Sequence, residues 1–171
     1  MDTTPYYLAA PATDVEFLQV DEVPTLVRKV RDQPMDRLAE IFDTAYTAVM
    51  EHAEGMGVSL TGPAFALYTS MPTNVVSMEA GIPVDRPIDQ PSTTEDGLAI
   101  EPSVLPGGNI ARMTYFGGYD GLPDAWRTFM QALTATGKQP DLPFWELYIS
   151  EPGPDVDPAT LRTDLVTKVR S

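Results

Sequence analysis

Two stretches of this chain repeat each other at a spacing of 80 residues, and that constrains the fold to two copies of one module within a single domain. Pro63-Ala-Phe-Ala-Leu-Tyr-Thr-Ser70 and Pro143-Phe-Trp-Glu-Leu-Tyr-Ile-Ser150 share Pro, Leu, Tyr and Ser in register, and Phe65 is set against Trp145. At the same offset Gly57 meets Gly137, Met50 meets Met130, Ala45 meets Ala125 and Tyr46 meets Trp126. Upstream the register slips by four, with Leu26-Val27-Arg28 against Ile110-Ala111-Arg112, as a loop insertion would cause. Each copy is therefore expected to run strand, helix, strand, strand.

Hydrophobic periodicity places the elements. Residues 1–14 read as a loose leader, and Val15 to Val30 as one bent strand or two short ones interrupted at Pro24. Pro34 suits a first helical turn, and Leu38, Phe42, Ala45 and Val49 follow one helix face that Gly55 and Gly57 terminate. Strands are expected over about 62–70 and 75–84, closing a first repeat of about 24–84. A polar, proline-rich stretch from Asp85 to Gly97 reads as a long loop within a linker of about 85–104, and Leu98 to Val104 leads into the second half. The second repeat, about 109–170, has a strand from Asn109 to Phe116 and a helix marked by Leu122, Trp126, Phe129, Met130 and Leu133. Strands from Phe144 to Ile149 and from Thr163 to Val169 complete it, within one domain over 15–171.

Glu146 breaks the symmetry. It is a carboxylate inside an apolar, aromatic strand, and Ala66 holds its position in the other copy. Side chains alternate across a strand, so Phe144, Glu146 and Tyr148 share one face and Trp145, Leu147 and Ile149 the other. Ala64, Ala66 and Tyr68 repeat the first face. The bulk of Trp145 and Phe65 suggests packing under the two helices, which would put Glu146 on the opposite face. There the aromatic side chains beside it would form an apolar patch of the kind that marks a binding site, with room left by the two alanines. An acid among aromatic faces suits a bulky organic cation.

Composition narrows the partners. Lys and Arg number 11 against 25 Asp and Glu, a net charge of −14, and no basic patch offsets it, so direct nucleic-acid binding is not expected. With no cysteine and one histidine, His52, the chain has no means for thiolate or multi-histidine metal sites, and neither a metal nor a cofactor is expected. A serine–histidine mechanism is equally unexpected. No apolar run is long enough for a membrane span and no signal peptide opens the chain, so no membrane partner and a cytoplasmic location are expected.

Several segments together carry a family resemblance: Gly62 to Tyr68, Val76 to Val84 with Glu79-Ala-Gly-Ile-Pro-Val84, Leu105-Pro-Gly-Gly108, Ala111 to Tyr119, and Phe144 to Tyr148 followed by Leu161-Arg-Thr163. In order and spacing, over about 15–170, they resemble the GyrI-like small-molecule-binding family, also described as the effector-binding domain of AraC-type and multidrug-responsive MerR-type regulators. Gly118 departs from the family's frequent proline. The resemblance implies an α+β fold of duplicated β-α-β-β modules with pseudo-twofold symmetry, helices on one face of a curved antiparallel sheet and a ligand cleft on the other.

Glu146 matches the family's pocket glutamate. The resemblance thus implies a stand-alone protein that binds bulky hydrophobic or cationic compounds, for sequestration or sensing. Ligand contacts are expected from Glu146, Tyr148, Phe144, Tyr68, Ala66, Tyr115 and Met113. Some stand-alone relatives hydrolyse electrophilic cyclopropane compounds. If this chain is an enzyme of that kind, Glu146 is the acid–base group, with Tyr148 or Tyr115 to orient water or steady developing charge. A gyrase-modulating role, known for the founding member, is the remaining alternative. No feature of the sequence identifies a protein partner.

Overall fold

A computed structural model of the protein describes residues 5–71, 73–87, 92–93, 99–150 and 155–170. Its chain divides into two compact units, residues 21–106 and a discontinuous unit of residues 1–20 with 107–171.

The continuous unit contains β2 (Val23–Pro34), α1 (Leu38–Met56), β3 (Ala64–Tyr68), β4 (Val75–Pro83), β5 (Ser92–Thr93) and β6 (Ala99–Leu105). The discontinuous one contains β1 (Glu16–Val20), β7 (Gly108–Phe116), α2 (Leu122–Ala135), β8 (Pro140–Tyr148) and β9 (Arg162–Val169). Neighbouring strands run β3-β4-β2-β6-β5 in the first and β1-β7-β9-β8 in the second, and the described pairings are antiparallel. The class is therefore α+β, as expected.

Both units contain the order strand, helix, strand, strand, and in both a fourth strand flanks the first. That fourth strand comes from outside the expected boundaries. β6, read as the opening of the second half, pairs with β2 instead, while β1 pairs with β7. The break in the early strand falls at Asp21 and Glu22 rather than at Pro24, which lies inside β2. Proline fits there because a strand position whose N–H is not needed by the ladder tolerates it.

Registers give a sharper correspondence than residue identity. Ala66 pairs with Ala80 and Ala80 with Arg28; Glu146 pairs with Leu165 and Leu165 with Met113. Arg28 therefore corresponds to Met113 and Val27 to Arg112, so the slip to 84 residues assigned from Leu26-Val27-Arg28 is one short. A slip of one matters, since it exchanges the two faces of the strand.

Each helix covers one face of its own sheet. α1 packs Ala48, Val49 and Ala53 against Leu26, Ile82, Val84 and Ile100. Gly57 ends α1 in the left-handed region at φ 69°, its N–H reaching the carbonyls of Ala53 and Glu54. α2 opens with Pro123 in its first turn and packs Leu122, Phe129 and Leu133 against Ala111, Leu165 and Val169. Gly81 on β4 lies where a Cβ would fall 2.1 Å from the Leu26 carbonyl oxygen, so only glycine permits that approach of β4 to β2.

Of the residues expected as a loose leader, 1–4 lie outside the described residues and 6–12 are tied down. Tyr6–Leu8 forms a 3-10 turn, and Tyr6, Tyr7 and Ala12 are buried. Among the described residues no helix is long and apolar enough to cross a membrane.

Candidate functional site

The expected placement of Glu146 away from the helices is corrected by its contacts. The face of β8 that bears Glu146 is the one α2 covers: the Trp126 indole Nε1–H, one turn into α2, donates to Glu146 Oε2 at 2.7 Å. Trp145 lies on the opposite face, fully buried beside Tyr6 of the N-terminal segment. In the other unit Ala64 packs against the α1 core, so Phe65 and Leu67 likewise point away from α1. Bulk alone does not reveal which layer a strand residue packs under when both faces are covered.

Around Glu146 the geometry is close. The side chain is 5% exposed, and the Tyr148 hydroxyl donates to Oε1 at 2.7 Å. Both carboxylate oxygens thus accept from neutral donors, one on a helix and one two residues along the same strand face. Phe144 stands edge-on to Trp126, with ring centres 5.0 Å apart. Tyr119, from the 3-10 turn before α2, meets Tyr148 edge-on at 5.8 Å. Burial, with the negative charge of Glu146 adding to it, holds the Tyr119 hydroxyl proton above the ordinary tyrosine range.

Three of the expected residues, Glu146, Tyr148 and Phe144, are therefore brought together, and two that were not named as contacts, Trp126 and Tyr119, join them. A signal for Trp126 was available: its repeat partner Tyr46 is also an aromatic hydrogen-bond donor, and its hydroxyl donates to the Phe65 carbonyl at 2.8 Å. With alanine at position 66 the same helix position satisfies backbone instead of a carboxylate.

Met113 and Tyr115 lie on β7, which β9 separates from β8. They line a cavity of about 380 Å³ between β7 and α2, with Leu165, Ala125, Thr114, Gly121, Asp124 and Thr128. Its floor residue Leu165 is the cross-strand neighbour of Glu146, so the cavity lies one strand away from the acid. Tyr115 directs its hydroxyl to the Gly118 carbonyl at 2.8 Å, bracing the turn that presents Tyr119. Ala66 and Tyr68 lie on β3 of the other unit, both buried. Among the described residues no group of three or more histidine, cysteine or carboxylate side chains gathers to hold a metal.

The sequence profile of the GyrI-like small molecule binding domain matches residues 15–170. The chain belongs to the GyrI-like family. No curated protein matches it significantly. Among solved structures, the crystal structure of the EcmrR C-terminal domain aligns at a TM-score of 0.69 and 18% identity, covering 92% of this chain and 97% of that one. The GyrI-like chain spans 57% of the EcmrR chain in its complex with DNA. A hydrolase from Listeria innocua aligns at a TM-score of 0.57 and 16% identity, covering 94% of each chain. SAV2435 bound to tetraphenylphosphonium aligns at 0.61 and 10% identity, covering 92% of this chain and 94% of that one. At these identities the likeness is one of fold.

Proposed function

We propose that this GyrI-like domain binds bulky hydrophobic cations, with Glu146 as the charge partner. The observation that carries this reading is a buried carboxylate whose two oxygens accept from Trp126 and Tyr148 amid the rings of Phe144 and Tyr119. Trp126 and Tyr148 are neutral donors, so neither of these two bonds cancels the charge of the carboxylate. A cation that displaces one of them gains a Coulombic attraction strengthened by burial, and the rings offer their faces to the same charge. The neighbouring cavity, within the range of roughly 300–1,000 Å³ usual for ligand pockets, would take an apolar portion of the ligand. The net charge of −14 draws cations toward the protein from a distance. Sequestration or sensing through a partner would follow from binding alone.

Calorimetric titration tests this with tetraphenylphosphonium and the neutral triphenylphosphine oxide. Glu146→Gln keeps shape and removes charge. The expected loss is about 10- to 100-fold for the cation, the scale of a hydrogen bond or contact to a charged group, with little change for the neutral compound. Equal losses for both would make Glu146 a structural residue.

A second reading, hydrolysis of an electrophilic cyclopropane compound, is favoured by one observation. Tyr148 and Glu146 form a hydrogen-bonded pair on one strand face, so the carboxylate can take a proton from water while the phenol steadies developing charge. Turnover that vanishes in Glu146→Gln and Tyr148→Phe would establish it. Tight binding without turnover in the wild type would leave a binding protein.

A further inference from the structure

The N-terminal segment has little regular structure of its own, yet its backbone carbonyls are met by a built array of charges on the face of the sheet opposite α2. Arg112, 2% exposed, donates through Nη1 to the Tyr6 carbonyl at 3.3 Å and through Nη2 to the Ala10 carbonyl at 2.6 Å. Arg162 Nη2 donates to the Ala9 carbonyl at 2.9 Å. Ala12 exchanges two bonds with Thr114, one through backbone and one through Oγ1. One fully buried carboxylate organises all three side chains: Asp164 accepts from Arg112, Arg162 and Thr114 at 2.8–3.0 Å. Burying charges costs desolvation, and apolar packing would hold a cover as firmly, so the array calls for a reason beyond attachment.

What lies beneath the segment supplies one. Tyr6 is buried beside Trp145, and among the described residues neither the Tyr6 hydroxyl nor the Trp145 indole N–H finds a partner of regular geometry, which leaves them to each other. Trp145 precedes Glu146 on β8 and points to the opposite face. Asp164 pairs across the ladder with Leu147, which follows Glu146. Both neighbours of the acid are thus held from behind.

We propose that residues 6–12 are a strap that positions Glu146: by pressing on Trp145 and gripping β9 through Asp164, they hold β8 where the carboxylate meets Trp126 and Tyr148. The docking of the strap and the binding of a ligand are then coupled, each favouring the other by the same factor. The ligand half rests on the reading of Glu146 given above; the link from strap to carboxylate does not.

The chain's two tryptophans report the two faces of β8 separately. Their indole N–H resonances, assigned with Trp126→Phe, are followed in Tyr6→Ala and Tyr6→Phe, together with tetraphenylphosphonium affinity. In Tyr6→Ala both resonances move, Trp126 losing the signature of its bond to Glu146, and affinity falls about 5- to 50-fold. Tyr6→Phe, which keeps the ring, retains the Trp126 signal. Ligand slows hydrogen exchange of residues 6–12 in the wild type. If Tyr6→Ala does not fold, Arg162→Gln loosens the latch from its partly exposed side and is read in the same way. A Trp126 resonance and affinity unchanged while Trp145 moves would overturn the proposal and leave the segment a cover. A Trp126 response in a protein that binds no probe would uphold the strap and sink the ligand reading.

Discussion

Trp126 is the residue on which the arrangement around Glu146 turns. An indole N–H can donate but neither accepts nor ionises, so at 2.7 Å it keeps a carboxylate oxygen satisfied without neutralising it. Trp126→Phe preserves most of the ring contacts with Phe144 and Phe129 but removes that donor from the carboxylate. The expected cost is about 1–3 kcal/mol, read as a lower urea midpoint. Combined with Glu146→Leu the cost should shrink, because donor and acceptor would then be removed together. The singularity of Glu146 was legible in the sequence because its repeat position holds alanine. The role of Trp126 was less so: a tryptophan on the apolar face of a helix looks like core whether or not its nitrogen has an acceptor. Tyr119 was hidden differently, since a glycine-rich turn does not indicate where its tyrosine will point.

Among the elements, the strand–helix–strand–strand order and the C-terminal ends of both helices could be read from periodicity and glycine signals, whereas Pro34, expected in the first helical turn, is the last residue of β2 and α1 begins at Leu38. The choice of faces could not be read. Alternation separates Trp145 from Glu146 without stating which side a helix takes, and the answer depended on Tyr6, from a segment whose composition suggested nothing to bury. Strand pairing was hidden for a similar reason, as β1 and β6 join partners that the order along the chain does not favour. The approach of β4 to β2 makes a direct prediction. In Gly81→Ala the new methyl would lie 2.1 Å from the Leu26 carbonyl and 2.6 Å from Val27 Cγ1, and backbone in a ladder yields little. A destabilisation of about 1–3 kcal/mol is expected from such overpacking, measured by urea unfolding, whereas Gly55→Ala, with no neighbour within 4 Å, should fall on the stabilising side.

For the molecule as a whole, tyrosine burial sets an alkaline limit. Burial raises the Tyr6 and Tyr119 hydroxyls above the ordinary value of 10.0, so the folded chain retains protons that the unfolded chain gives up. Their contribution to stability is fully present below pH 10.0 and declines as pH rises beyond it. Absorbance at 295 nm should show Tyr6 ionising only together with unfolding, and Tyr6→Phe should flatten the alkaline fall. The discontinuous unit carries a consequence of another kind, for the order in which a nascent chain can fold. Residues 21–106 are complete once they leave the ribosome, but Ala9 must wait for Arg162, 153 positions later. Residues 5–20, Tyr6 and Tyr7 among them, have no part of their own unit to bury against until residues from 107 onward emerge, and over that interval this stretch of the newborn protein is exposed to chaperones.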